Sequence, residues 1–358
     1  MVKRLLKNSA HSGRLPAGCR HCGKGQKLVL FVTGICPGKC FYCPLSAEKR
    51  GADVVFADEL RVRTKDDIVQ EAELIDAAGT GITGGDPLRV LPRTIRYIRL
   101  LKDNFGDRHH IHLYTATADV KKIARLSKSG LNEIRFHPPP ALWGRMDGSP
   151  FERAIRASLD AGLDTGIEVP ALPGMKRELE ALVSFLDSAG ANFLNLNELE
   201  FSETNFRALL QRGYRVKDDI SSGVAGSEEL ALSLLASAGT SVSIPLHYCS
   251  ASYKDGVQLR NRIMRRAKNI ARPGDVISDD GLLVKGVVEC RFPGRTRRAI
   301  MDEFGVPARL IRVDGEKHRV EVAPWVLEKI AAKLGQAAFI IEEYPTADRL
   351  EVERTRIN

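Results

Sequence analysis

Three cysteines, Cys36, Cys40 and Cys43, stand within eight residues of one another in the stretch VTGICPGKCFYCP. The spacing is Cys-x3-Cys-x2-Cys, just past the apolar run Leu28–Val32, which reads as a buried strand. Pro37, Gly38 and Lys39 make an exposed turn between the first two thiols, which argues against small core residues. A structural zinc site usually draws four ligands from two separated pairs, and the triplet fits that poorly. Three thiolates on one short loop can instead hold three irons of a [4Fe–4S] cube and leave the fourth iron open to a substrate or cofactor.

The segments that must position this loop alternate between strand and helix. LVLFVTG (28–34) is a strand, DDIVQEAELIDAAG (66–79) an amphipathic helix with a glycine stop, and TGITGGDP (80–87) a strand ending in glycines. A helix follows over 91–104, then the strand HIHLYTAT (110–117) and the helix ADVKKIARLSKSG (118–130). The pattern continues with a strand at 131–138, a helix at 150–162, a strand at 164–171 and a helix at 176–189. A strand at 191–200, helical material to about Ser237 and a strand at 241–248 complete it. Strand–helix repetition of this kind implies a parallel sheet with right-handed crossovers. Six or seven units suit a partial barrel, since a full eight-unit barrel needs about 250 residues.

Beyond a basic helix and the linker ARPGDVISDDG lie two strands around Asp314-Gly315, the helix PWVLEKIAAKLG, and strands near 338–343 and 349–355, a small α+β domain. The expected organisation is therefore an N-terminal extension over 1–27, an α/β partial (β/α)6-type barrel over 28–250, a basic helix and linker over 251–280, and the α+β domain over 281–358.

The chain has 358 residues, 43% of them hydrophobic and 28% charged, which is enough to bury a sizeable core and argues against wholesale disorder. No apolar run has the length of a signal peptide core or a membrane span, so a cytoplasmic protein is expected. Seven cysteines, an odd number in a reducing compartment, point to metal or catalysis rather than disulfides. The net charge is +9, with the excess concentrated in Arg260, Arg262, Arg265, Arg266 and Lys268 and in Arg291, Arg295, Arg297 and Arg298. Such clusters read either as solvated faces or as a surface for a polyanion.

CPGKCFYC after the first strand, followed by TGGDP after the second, resembles the radical S-adenosylmethionine superfamily over roughly residues 28–250. The likeness is to activating-enzyme-like, archaeal-type iron–sulfur oxidoreductases. It implies that Cys36, Cys40 and Cys43 hold a [4Fe–4S] cluster whose open iron chelates S-adenosylmethionine. One electron then cleaves the sulfonium to a 5′-deoxyadenosyl radical that abstracts hydrogen from a substrate. The resemblance places Tyr42 beside the adenine, and Thr83, Gly84, Gly85 and Asp86 at the methionine amino group, with Asp where glutamate is usual. It assigns Gly166, Ile167 and Glu168 to the ribose and adenine, Arg135 to the methionine carboxylate and Asn197 to the ribose. An electron donor such as a ferredoxin or flavodoxin is implied as a partner.

Four cysteines remain. Cys19 and Cys22 form a Cys-x2-Cys knuckle followed by glycine; Cys249 follows the last barrel strand, and Cys290 lies in the C-terminal segment. Four thiols match a complete site, either a second [4Fe–4S] cluster or zinc, with His247 able to replace one ligand. The alternative is that Cys249 and Cys290 are ordinary small buried residues. His109, His110 and His112 lack further ligands and read as a strand edge, and the proline loop FHPPPALWGRM shapes the entrance to the catalytic face. No phosphate-binding loop, His-Glu-x-x-His or Gly-x-Ser-x-Gly motif occurs, nor does a cobalamin-binding region.

Two functions compete. The first is a radical enzyme acting on tRNA, favoured by the basic helix, or on a protein side chain or backbone, including glycyl-radical activation. The second is a non-enzymatic, zinc-stabilised nucleic-acid-binding protein, which leaves the cysteine triplet and the glycine pair unexplained.

Overall fold

The computed structural model describes residues 2–238 and 241–358. The chain forms two compact units: one of residues 1–73 and 77–259, the other of 74–76 and 260–358.

The first unit begins with β1 (Val2–Arg4), β2 (Ala10–Ser12) and α1 (Ala17–Gly23), which carries Cys19 and Cys22. The Cys-x2-Cys pair is therefore helical, not a loop knuckle. Then come β3 (Lys27–Phe31), the short β4 (Phe56–Ala57) and β5 (Leu60–Arg61), α2 (Lys65–Leu74), β6 (Gly79–Thr83), α3 (Leu91–Phe105) and β7 (His110–Thr115). They are followed by α4 (Val120–Ser127), β8 (Glu133–Phe136), α5 (Pro150–Asp160), β9 (Asp164–Ala171), α6 (Lys176–Ser188), β10 (Phe193–Glu198), α7 (Phe206–Leu210), α8 (Ser227–Ala238), β11 (Leu246–Cys249) and the single turn α9 (Ala251–Tyr253).

The strand order is β1-β2-β11-β10-β9-β8-β7-β6-β3-β4-β5. Strands β3 and β6 to β11 pair in parallel, whereas β2 on β11 and β4 on β3 are antiparallel. Helical crossovers link the seven parallel strands, and the sheet ends on two antiparallel edges, which makes a partial α/β barrel. Side-chain caps start two of the crossover helices: Asp119 accepts from the Lys122 amide (3.1 Å) at α4, and Ser149 from the Glu152 amide (3.2 Å) at α5.

The strands alternate in an informative way. Ile111, Leu113, Ile134, Phe136, Ile167, Val169, Leu194 and Leu196 are fully buried, and they occupy every second position, the face a crossover helix covers. The intervening positions are His112 and Tyr114, Glu133 and Arg135, Glu168, Asn195 and Asn197, and His247 and Cys249. Barrel interiors of this class are ordinarily filled by branched apolar side chains; from β7 to β11 this one is largely polar, with Phe193 lying against the Arg135 guanidinium (5.3 Å to the ring centroid). β7 lies between β6 and β8, so the histidine run is central rather than at a strand edge. His112 is fully buried on the polar face, while His109 bonds Thr80 Oγ1 (2.8 Å).

The second unit holds α10 (Arg260–Ile270), β12 (Val276–Ile277), β13 (Leu283–Glu289), α11 (Pro293–Phe304), β14 (Ile311–Asp314), β15 (Arg319–Val322), α12 (Pro324–Ile330), β16 (Ala338–Glu343) and β17 (Glu351–Arg356). Its antiparallel sheet runs β14-β15-β13-β16-β17, with β12 on β13. Val288, Ile300, Val320, Val322, Leu327 and Ala338 form its core, and Cys290 packs against that core.

The basic helix α10 does not build the surface expected for tRNA. Arg266 is 7% exposed and donates to the Pro345 carbonyl (2.5 Å). Arg265 donates to the Ile75 carbonyl (2.9 Å) and pairs with Asp76 (3.4 Å), and Arg260 pairs with Asp280 (3.2 Å). These guanidinium groups are engaged by the protein itself. Among the described residues no helix is long and apolar enough to cross a membrane.

Candidate active site

The cysteine loop leaves β3 through a clamp. Arg93 grips Asp53 with both Nη atoms (2.5 and 2.9 Å) and donates to the Val32 carbonyl (3.0 Å), while Thr33 Oγ1 donates to Asp53 (3.0 Å). Gly34 exchanges backbone bonds with Gly51 and Ala52. A Cβ at position 34 would stand 1.6 Å from the Lys49 carbonyl oxygen, so only glycine fits.

The far end of the loop is fastened by the segment after β10. Asn205 Nδ2 donates to the Tyr42 carbonyl (3.1 Å) and Thr204 Oγ1 to the Leu45 carbonyl (2.8 Å). Between these anchors Cys36 is exposed and Cys40 and Cys43 half-buried. The Gly38 amide donates to Cys36 Sγ (3.3 Å), and a Cβ on Gly38 would lie 3.5 and 3.6 Å from the sulfurs of Cys36 and Cys40. These two thiols therefore turn to one side of the loop. Burial pushes both upward, with the Gly38 amide opposing it at Cys36 and Tyr42 opposing it at Cys40, so a metal must displace their protons.

The glycine pair after β6 lies against the start of this loop. The Gly85 amide donates to the Thr33 carbonyl (2.6 Å) and the Asp86 amide to the Ile35 carbonyl (2.9 Å). A Cβ on Gly84 would meet the Thr33 carbonyl oxygen at 2.4 Å. Thr83 ends β6 half-buried. The Asp86 carboxylate is fully buried and accepts from Thr115 Oγ1 (2.8 Å), Thr117 Oγ1 (2.5 Å) and the Leu88 amide (3.0 Å). Its acceptor sites are committed to the fold.

Tyr42 is 6% exposed, and its Oη lies 2.9 Å from His137 Nε2. His137 Nδ1 donates to the Glu168 carbonyl (2.8 Å). Because Nδ1 carries the proton, Nε2 accepts from the tyrosine; burial keeps this imidazole neutral.

Glu168, Arg135 and Asn197 meet in one network. Arg135 Nη1 donates to Glu168 Oε2 (2.6 Å), and Asn195 and Asn197 donate to Oε2 and Oε1 (3.0 and 2.9 Å). Burial works against ionisation of Glu168, but Arg135 and the two asparagines prevail and hold its carboxyl at about 2. Arg135 also binds Glu133 through Nε (2.6 Å). A substrate carboxylate reaches Arg135 only by replacing one of these partners.

Sequence reasoning missed Asn195, Glu133, His137, Asn205 and Thr204. The first two carry a legible signal, polar residues at every second position of strands that should be apolar on both faces. The last three have none, because their partners lie far away in the chain. The four leftover cysteines are not gathered within either unit: Cys19, Cys22 and Cys249 belong to the first and Cys290 to the second. Among the described residues no group of three or more His, Cys, Asp or Glu side chains has the spacing of a metal site. The loop nonetheless fits a cluster, with three thiols on one short segment, an amide directed at a sulfur, and backbone packed too tightly for side chains beside it.

The family model for the radical SAM superfamily matches residues 30–186, and a Domain of unknown function (DUF8061) matches residues 281–357. A Methanocaldococcus jannaschii protein, provisionally named as a glycyl-radical enzyme activating enzyme, is 38% identical over 355 residues, covering 95% of this chain and 92% of the relative. Two solved structures are also similar. HydG, a maturase of the [FeFe]-hydrogenase, aligns at TM-score 0.37 and 16% identity over 50% of this chain and 44% of its own. Streptococcus suis SuiB bound to S-adenosylmethionine aligns at TM-score 0.41 and 15% identity over 63% of this chain and 50% of its own. The chain thus spans half or less of these two proteins. The non-enzymatic zinc-protein reading gives way to the match across nearly the whole chain. The chain belongs to the radical S-adenosylmethionine superfamily and is an enzyme of that class.

Proposed function

We propose that this enzyme abstracts hydrogen from a protein substrate, as in the activation of a glycyl-radical enzyme. One observation supports the reading: the relative matched over 95% of the chain carries that name. The tRNA reading is not carried forward: that relative gives it no support, and Arg265 and Arg266 of the basic helix are engaged within their own unit.

Cys36, Cys40 and Cys43 would hold the [4Fe–4S] cluster. When bound, the cluster and S-adenosylmethionine would supply one-electron cleavage of the sulfonium and hydrogen-atom abstraction from the substrate. A small carrier of the ferredoxin or flavodoxin kind supplies that electron. The carbonyls at Thr83–Gly85 would receive the methionine ammonium of the bound cofactor, and Tyr42, fixed by His137, would flank its adenine. Glu168 and Asn197 offer hydrogen bonds to the ribose, with Arg135 positioning Glu168.

The test uses anaerobically reconstituted enzyme, dithionite, S-adenosylmethionine and host proteins labelled with deuterated glycine. Deuterium is expected in the 5′-deoxyadenosine formed. Cofactor cleavage that takes deuterium from labelled RNA and none from protein would overturn the reading.

A further inference from the structure

Tyr42 is buried against His137, but its neighbour Phe41 is half-buried and makes a different set of contacts. The Phe41 ring stacks on Tyr214 (6.3 Å between centroids, 7° between planes), and the Arg212 guanidinium stands 4.3 Å from its centroid. Tyr214 and Arg212 belong to the segment after β10, whose Thr204 and Asn205 fasten the cysteine loop through the Leu45 and Tyr42 carbonyls. In the sequence Phe41 follows Cys40 directly and stands two residues before Cys43. Its ring therefore links the surface of that segment, through a few backbone bonds, to two of the three thiols assigned to the cluster.

The same segment presents large apolar side chains to water. Phe206 and Leu210 on α7 are 44% and 46% exposed, and Val216 beyond it is 47% exposed. Exposed cations stand among them: Lys39 on the cysteine loop, and Arg207, Arg212 and Arg215 on the segment. Residues 35–43 and 206–216 contain no Asp or Glu; the nearest exposed carboxylates in the sequence are Glu48, Glu203 and Asp218. An exposed apolar patch set among charges marks an interaction site. Aromatic side chains and arginine are the types enriched where proteins meet.

We infer that this face, built from the Phe41 side of the cysteine loop and from residues 206–216, docks an acidic one-electron carrier protein. The inference rests on the proposed reaction, in which each cofactor cleavage needs one electron at the cluster. In the exchange the carrier is oxidised by one electron and the cluster reduced by one, with no bond made or broken and no proton moved. Charge selects the partner: four cations without a carboxylate between them attract an anionic surface and repel a second copy of the same face. Extent agrees, because a five-residue helix and its adjoining turns suit the electron-transfer encounters that bury less than about 1,200 Å², not the roughly 2,000 Å² or more of an obligate dimer. Position agrees as well, since Phe41 brings the docked surface within a few bonds of Cys40 and Cys43.

The test measures binding first. Thermophoresis of the anaerobically reconstituted enzyme against an oxidised acidic ferredoxin and an oxidised acidic flavodoxin should show binding to at least one. That binding should weaken about tenfold as salt rises from about 0.05 to 0.5 M. Arg207→Glu/Arg215→Glu should bind about tenfold more weakly, and Leu210→Ser, which keeps every charge, should weaken binding too. Arg291→Glu/Arg295→Glu, the same change of charge in the other unit, should bind as the wild type does. With the carrier reduced, 5′-deoxyadenosine formation by Arg207→Glu/Arg215→Glu should fall in step with binding, while formation with dithionite, which needs no docking, should hold. No binding to either carrier, equal weakening by the control variant, or equal losses with both reductants would overturn the proposal. So would a wild-type dimer that Leu210→Ser converts to monomer, which would assign the face to a second copy. Loss of deuterium transfer from labelled protein with carrier binding intact would assign it to the substrate instead. Binding is read without cofactor cleavage, so this proposal and the proposed reaction can fail separately.

Discussion

Tyr42 Oη donates to His137 Nε2 across 2.9 Å, tying the residue before the third cysteine to the start of the proline loop after β8. The bond is part-buried, so its loss leaves a hydroxyl with little access to water. His137→Leu should destabilise the protein by about 1–3 kcal/mol, with iron content unchanged. Tyr42→Phe/His137→Leu should recover part of that loss, since neither group is then left alone. Calorimetry on the anaerobic proteins checks both, and an unshifted melting temperature in the single variant would contradict the role assigned to the bond.

Gly85 fits because its missing side chain makes room for the cysteine loop. A Cβ there would stand 2.5 Å from the Ile35 carbonyl oxygen and 2.6 Å from that of Gly34. Both obstacles are backbone, so relief requires the loop to move. Gly85→Ala should cost about 1–3 kcal/mol and lower the iron retained after reconstitution. Gly294→Ala, where nothing lies within 4 Å in helix α11, should be neutral or stabilising. Equal iron retention in the two variants would show that the close approach has no bearing on the cluster loop.

These two sites mark where sequence reasoning succeeds. The three cysteines and the glycine pair are local, so spacing alone places each on its loop, and strand–helix alternation reads directly as the parallel sheet. The N-terminal segment was illegible because its contacts are remote: β2 pairs with β11, and Ser9 bonds Ser250 across 241 residues. Strands of three residues carry too little periodicity to announce such pairing. The basic helix misled for a different reason. Charge counts record that Arg266 is cationic, not that its long side chain ends on the Pro345 carbonyl.

Among the described residues, Arg135 is the one cation that pairs with both Glu133 and Glu168 on the polar face of β8 and β9. Arg135→Met should destabilise the first unit by about 3–5 kcal/mol, because both carboxylates then stay buried without a counter-charge. The pH response should also invert. In the wild type the depressed Glu168 carboxyl contributes stability above its unfolded value of about 4.5, and that contribution is lost as pH falls towards 2. In the variant the neutral carboxyl is preferred, so stability should rise as pH drops from 7 to 5. Urea unfolding at several pH values decides; a variant with the wild-type pH trend would disprove the pairing.

The second unit carries its own acid-sensitive device. Glu343 is 1% exposed and receives Lys285 Nζ (2.6 Å), Lys317 Nζ (2.9 Å), Arg319 Nη2 (2.8 Å) and Arg349 Nε (3.1 Å). Burial opposes its ionisation, but these cations override it and hold the carboxyl at about 2; Asp314 is lowered alongside by Arg349 and the Lys317 amide against the same burial. A depressed carboxyl stabilises above its unfolded value and loses that contribution as protonation proceeds through the folded one. Stability of residues 281–357 should therefore fall between about pH 4.5 and pH 2. Glu343→Gln should cost about 3–5 kcal/mol at neutral pH, since it strands buried cations, and should flatten most of the acid response. Hydrogen exchange of β13 and β16, pulse-labelled at one pH after incubation across the range, reads this directly. An equally steep acid response in Glu343→Gln would assign the sensitivity to some other group.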